Sequence, residues 1–170
     1  MFLEAVERLY SYQRESNNHL FKVASRISHE QFTDVIVEGQ PSIRDTLFHM
    51  VDVIESHFEW WNFNTDQVRP VAKNRHVNQF PDAPSIKNYW TEVDQYVAEC
   101  IASLDSNEQL DRTFERGFDD GSSNKRKIWE MLLHVINHGT QHRSEVAMML
   151  TKLGHSPGDM EILEIRHFHM

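Results

Sequence analysis

The sequence is short of the features that mark secreted, membrane-spanning and disulfide-linked proteins. Its 170 residues include one cysteine, Cys100, so no intramolecular disulfide can form, which suits a reducing compartment. No apolar run approaches the roughly 20 residues that a membrane-spanning helix needs. The N-terminal segment MFLEAVERLY is interrupted by two glutamates and does not have the pattern of a signal peptide. We therefore expect a cytoplasmic protein with no membrane partner.

Positive charge is also scarce. The chain has 17 Lys and Arg residues against 26 Asp and Glu residues, a net charge of -9. Nucleic acids require a basic binding surface, so we expect no nucleic-acid partner. Glycine and proline are few, at 6 and 5 residues, and 39% of the chain is hydrophobic, which indicates an ordinary globular protein. The length fits a single domain over residues 1–170.

Helical periodicity runs through four long segments, and no segment shows convincing strand alternation. The predicted helices cover residues 2–27, 43–63, 85–104 and 126–153. Ser42 can cap the second helix with Asp45 in its first turn, and Gly154 follows the fourth helix as a C-terminal capping glycine would. Polar connections occupy residues 64–83 and the GFDDGSSNK segment. This pattern predicts an all-α four-helix bundle with long crossover connections.

Histidine is abundant, with 11 residues. In HVINHGTQHR, His134, His138 and His142 follow one another at four-residue intervals, and a helical wheel turns His138 and His142 toward the apolar side. Buried imidazole nitrogens need partners, and one divalent metal ion satisfies two of them at once. The alternative is a pair of core histidines that hydrogen-bond to the backbone or to each other.

The second helix offers two candidates for a third metal ligand, His49 and His57. On the wheel, His57 lies well inside the apolar arc, whereas His49 lies at its border. The pattern alone therefore slightly favours His57 as the ligand.

SIRDTLFHM, followed much later by LLHVINHGTQHR and LG, resembles the motifs of the DinB-like superfamily of bacterial four-helix bundles, which includes the YfiT-type proteins. The resemblance covers nearly the whole chain. It implies a divalent metal held by one histidine of the second helix and two of the fourth, here His49, His138 and His142. His57 then becomes the alternative ligand. Zinc or nickel is the expected ion, with iron and copper as further options.

The chain departs from the family motif next to the expected site. Where the family commonly reads HHRGQ, this sequence reads QHRSE. Glu145, three residues after His142, could orient a ligand or coordinate the metal, and its alternative is an exposed or ion-paired carboxylate. Arg143 is retained. It is a candidate for binding an acidic cosubstrate, and its alternative role is a salt bridge at the helix end.

Three histidine ligands leave coordination positions open, as in a catalytic or substrate-binding metal site. Such an ion can lower the pKa of a bound water or thiol toward neutrality. The resemblance extends to enzymes that transfer low-molecular-weight thiols such as bacillithiol or mycothiol. It therefore implies a metal-dependent thiol S-transferase that conjugates a thiol cosubstrate to small electrophiles. A non-catalytic metal-binding stress-response protein and a metal-dependent hydrolase remain alternatives, and no catalytic side chain is assigned.

Two further expectations concern assembly and the thiol. Relatives are often homodimers, and Trp129 lies nearly opposite the apolar stripe of its helix, which predicts an exposed aromatic patch at a subunit contact. Cys100 is expected to be a buried, inert thiol.

Overall fold

The computed structural model describes residues 2–63, 75–117 and 120–162. Its four long helices are α1 (Phe2–Ala24), α3 (Ile43–Phe63), α4 (Ala83–Ala102) and α6 (Ile128–Lys152). The shorter elements are α2 (His29–Thr33), a 3-10 turn (Val77–Gln79), α5 (Asn107–Leu110), β1 (Thr113–Gly117) and β2 (Ser123–Lys127). The predicted all-α bundle is confirmed.

The long helices surround one hydrophobic core, and helices that follow one another in the chain are not always neighbours in the bundle. Helix α6 packs against α1 and α3, and α4 packs against the same two helices. Consecutive long helices α1 and α3 are therefore diagonal to each other, as are α4 and α6. The segments that join these diagonal pairs, residues 25–42 and 103–127, are the crossover connections. Residues 64–82 instead join the neighbours α3 and α4, and residues 64–74 of the predicted polar connection lie outside the described residues.

Capping contacts fix the start of α3 and the end of α6, the two helices that carry the histidines. The Ser42 hydroxyl accepts a hydrogen bond from the Asp45 backbone N–H at 3.0 Å, as predicted for the start of α3. At the end of α6, Gly154 has a φ of +83°. The N–H groups of Gly154 and His155 donate to the carbonyls of Thr151 and Leu150 at 3.0 and 2.8 Å, which is a Schellman motif. The predicted boundaries of these two ends are therefore confirmed.

An antiparallel hairpin precedes α6, so the prediction of no strands and of a last helix starting at Arg126 is wrong. Strand β1 pairs with β2, so that Thr113 lies opposite Lys127 and α6 begins only at Ile128. Period-two alternation is missing because both strands are mostly exposed. Phe114 is the one hydrophobic side chain of the two strands, and it enters the core at 5% exposure.

The burial of Cys100 confirms one prediction, and the burial of Trp129 contradicts another. The Cys100 side chain is buried at 4% exposure, as expected. Trp129 is half-buried and packs against the core, so it does not form the exposed aromatic patch that the wheel predicted. None of the helices in the described residues combines the length and the apolar character needed to cross a membrane.

Candidate metal site

Three histidine side chains from two helices meet where α3 packs against α6. The Nε2 atom of His138 lies 3.1 Å from Nε2 of His49 and 3.1 Å from Nε2 of His142. Each ring offers one nitrogen to a group whose atoms all lie within 4.8 Å of one another. This geometry could hold a metal ion. We call these three residues the histidine triad.

The helices place the triad at the rim of the core. His138 and His142 are one turn apart on α6 and both are half-buried, as the wheel indicated for their common face. His49 approaches from α3 and is exposed to solvent. The triad is therefore anchored on two rigid helices, and its His49 side is open to small molecules.

Burial and the neighbouring rings favour the uncharged forms of His49 and His138. Burial is the main cause that lowers the pKa of His138 to about 4, followed by the nearby rings of His142 and His49. Burial also lowers the pKa of His49, again with a contribution from His142, while the Asp52 carboxylate acts in the opposite direction. Near neutral pH the rings of His49 and His138 are therefore neutral, which is the form of imidazole that binds metals.

Glu145 fixes the orientation of one triad ring. Its Oε2 atom lies 2.6 Å from Nδ1 of His142, and its Oε1 atom accepts a hydrogen bond from Nε2 of Gln141 at 3.3 Å. A carboxylate can only accept here, so we assign the proton of His142 to Nδ1. The Nε2 lone pair of His142 then faces the other two rings. This arrangement matches the carboxylate–histidine pairs that orient metal ligands in proteins.

The nitrogens of the triad fit a cation better than they fit one another. The Nε2 atom of His138 faces two others, although a neutral ring nitrogen has only one hydrogen or one lone pair to offer. Two bonds of about 2.1 Å to one ion, at tetrahedral or octahedral angles, separate the nitrogens by about 3.0–3.4 Å. The observed separations of 3.1 Å agree with that range.

His57 lies away from the triad. Its ring centroid is 5.0 Å from that of His134, and its Nδ1 atom is 2.8 Å from the Val53 carbonyl oxygen. Because α3 and α6 run antiparallel, His57 is level with His134, whereas His49 is level with His138. The helical wheel gave the direction of His57 around the axis but not its position along it. The structure thus brings His49 next to His138 and His142, and leaves His57 outside the group.

Arg143 points away from the triad and into the contact between α6 and α1. It is 2% exposed, and its Nη2 atom donates to the Thr140 hydroxyl at 2.8 Å. Its Nη1 atom donates to Asn17 Oδ1 at 3.4 Å, and the guanidinium lies 5.5 Å from the centre of the Tyr12 ring. No carboxylate of the described residues lies within ion-pair distance of it. This location suits a packing contact between helices better than contact with a ligand at the surface.

The chain matches one protein family over nearly its whole length. The DinB family profile matches residues 1–168. The chain belongs to the DinB family. Protein DinB of Bacillus subtilis (strain 168) is 24% identical to this DinB-family chain over 151 residues, which cover 88% of the chain and 86% of that protein.

Solved structures show the same fold. A DinB-like protein from Bacillus cereus ATCC 10987 matches with a TM-score of 0.68 at 18% identity, over 92% of this DinB-family chain and 95% of that one. A conserved protein from Enterococcus faecalis matches with a TM-score of 0.62 at 8% identity, over 86% and 95% of the two chains. At these identities the likeness concerns the fold alone.

The contact between Glu145 and His142 predicts a graded effect on metal binding. Glu145→Ala is expected to lower the affinity for Zn²⁺ by about 10- to 100-fold, because the ring of His142 loses its anionic acceptor. Glu145→Gln keeps an acceptor without the charge, so its affinity for Zn²⁺ should lie between those of the unaltered protein and Glu145→Ala. Competition with a chromophoric chelator at fixed pH measures these affinities. The matched control is Ser144→Ala, because Ser144 precedes Glu145 in the sequence and is exposed. An unchanged affinity in Glu145→Ala would contradict the orienting role.

Proposed function

We propose that this DinB-family protein binds one divalent metal ion through His49, His138 and His142 and acts as a metal-dependent thiol S-transferase on small electrophiles. The observation that supports the proposal is the convergence of three Nε2 atoms from α3 and α6. All-imidazole ligation suits zinc or nickel, and iron and copper also accept it. A small thiol of the bacillithiol or mycothiol type is the proposed cosubstrate.

The donor set favours a reactive ion over a structural one. A structural zinc site commonly has four protein ligands, whereas the described residues offer a group of three. When bound, the metal lowers the pKa of a coordinated thiol, which supplies the thiolate nucleophile at neutral pH. The side chains of the protein provide the positioning. Glu145 fixes the ring of His142, and the exposed His49 borders the side from which small molecules arrive.

Reconstitution of the metal-free protein tests the reaction. The protein is loaded with Zn²⁺ or Ni²⁺ and mixed with bacillithiol or mycothiol and an aryl halide electrophile. We expect thiol consumption that depends on the metal, with one thioether and one halide ion formed per thiol lost, because the new C–S bond replaces the carbon–halogen bond. Mass spectrometry measures the thiol and the thioether. His49→Ala protein under the same conditions is the control and should match the uncatalysed rate.

Two outcomes would overturn the transferase. Tight metal binding with no thiol consumption across the panel would indicate a non-catalytic metal-binding protein. Metal-dependent hydrolysis of the electrophile with the thiol left intact would indicate a hydrolase that activates water in place of the thiol.

A further inference from the structure

A cleft of about 300 Å³ opens next to the histidine triad. Its lining comes from α3, the hairpin and the first turns of α6, and includes the rings of His57 and His134. His134 precedes His138 by one helical turn, and their ring centroids are 5.9 Å apart. The cleft therefore begins one helical turn, about 5 Å along the helix axis, from the triad.

One wall of the cleft is apolar and partly aromatic. Trp60, Phe114 and Met131 contribute to the lining. Phe114 and Met131 are 5% and 3% exposed, so the core holds them in place. The Trp60 ring lies 4.9 Å from the ring of His57. Such a wall favours a flat apolar group on a ligand.

The cleft also contains a cation that has no anionic partner among the described residues. Arg126 of β2 is exposed and donates from Nη1 to the Lys125 carbonyl at 3.2 Å. No carboxylate of the described residues lies within ion-pair distance of its guanidinium. The flanking lysines differ, since Lys125 pairs with Glu115 at 3.8 Å and Lys127 with Asp111 at 2.7 Å.

The acidic residue in the cleft, Glu130, is already engaged. Its Oε2 atom accepts a hydrogen bond from the Lys127 backbone N–H at 2.8 Å, at the N-terminal end of α6. That contact holds the carboxylate against the positive end of the helix. The guanidinium of Arg126 thus remains the group available to an incoming anion, in a protein with a net charge of -9.

We propose that this cleft binds a small carboxylic acid with a flat apolar group, whose carboxylate pairs with Arg126 and whose apolar part contacts Trp60 and Phe114. Guanidinium groups bind carboxylates with two parallel hydrogen bonds, which fixes the orientation of the acid. We further infer that this acid is the electrophilic substrate, which rests on the proposed function. Binding of the acid to the cleft requires no metal.

Calorimetric titration with 3-phenylpropanoate and its neutral analogue 3-phenylpropanamide tests the inference. The acid is expected to bind saturably and at least about tenfold more tightly than the amide. Arg126→Gln should reduce the affinity for the acid to that for the amide. Lys125→Gln, next to it on the same strand but outside the cleft lining, should leave both affinities unchanged. Glu130→Gln, which keeps an acceptor for the helix cap, should bind the acid at least as tightly.

Equal binding of acid and amide, a full affinity in Arg126→Gln, or no saturable binding would each overturn the proposal. Circular dichroism checks that each variant is folded. The same titration on His138→Ala separates the two proposals. If this variant and the unaltered protein bind the acid alike and neither binds Zn²⁺, the cleft stands and the metal site fails. If Zn²⁺ binds and the acid does not, the metal site stands and the cleft fails.

Discussion

His138→Ala is expected to lower the affinity of the protein for Zn²⁺ by roughly 10²- to 10³-fold. The magnitude follows from a structural zinc site, where about 10–16 kcal/mol is shared among four ligands. One ligand then accounts for about 2.5–4 kcal/mol, and each 1.4 kcal/mol corresponds to a factor of ten. His138 is the suitable residue to change because its Nε2 atom is 3.1 Å from both of the other triad nitrogens. Chelator competition gives the affinity directly.

Thermal unfolding provides a second measurement that does not depend on activity. Saturating Zn²⁺ should raise the unfolding temperature of the unaltered protein, because the ion binds the folded chain preferentially, and this increase should shrink in His138→Ala. The metal-free variant should remain folded, since the substitution removes a half-buried ring with an unpartnered Nδ1 atom.

The matched control for this experiment is His57→Ala. His57 belongs to the same α3–α6 contact, but its ring lies next to that of His134 and outside the triad. Its replacement should change the affinity for Zn²⁺ by less than about threefold, within the usual context dependence of such effects. A loss of metal in His57→Ala equal to that in His138→Ala would show that the ligand set is assigned incorrectly.

Gly139→Ala is expected to destabilise the protein by about 1–2 kcal/mol, although helix propensity predicts the opposite. In an exposed helix, alanine is favoured over glycine by about 1 kcal/mol. Here a Cβ atom would lie 2.5 Å from Gln13 Oε1 and 2.9 Å from Arg143 Nη1, between α1 and α6. Both side chains are flexible but buried, at 3% and 2% exposure, so neither can move aside into solvent. Overpacking of this kind costs about 1–3 kcal/mol, and Gly139→Val should cost more. Urea unfolding at fixed pH measures the change.

Two further variants test the cause of the lost stability in Gly139→Ala. Asn137→Ala lies on the exposed side of the same helix and should be neutral or slightly stabilising. In a Gln13→Ala background the nearest obstacle is gone, so Gly139→Ala should cost less than it does alone. If the two substitutions are strictly additive, the steric explanation is incorrect.

Local sequence signals were sufficient for the helix ends and for the pair of histidines on α6. Ser42 and Asp45 predicted the start of α3, and Gly154 predicted the end of α6, because capping depends on neighbouring residues only. The four-residue spacing of His138 and His142 likewise placed both rings on one face. Such features need no knowledge of the rest of the fold.

Other features depended on contacts between distant segments. The choice between His49 and His57 required the relative position of α3 along α6, which a wheel does not contain. The burial of Arg143 could not be predicted from the wheel. Helix α6 contacts both α1 and α3, so two faces of this helix are buried, and a single apolar stripe does not describe both. The hairpin escaped detection because Phe114 is its one hydrophobic side chain among mostly exposed residues.

The triad joins parts of the chain that are far apart in sequence, since His49 and His138 are 89 positions apart. An ion held by both would act as a removable cross-link between α3 and α6 in the folded chain. We therefore expect a chelator to accelerate proteolysis of the connection between α4 and α6, as the two halves of the chain separate more often once the link is withdrawn.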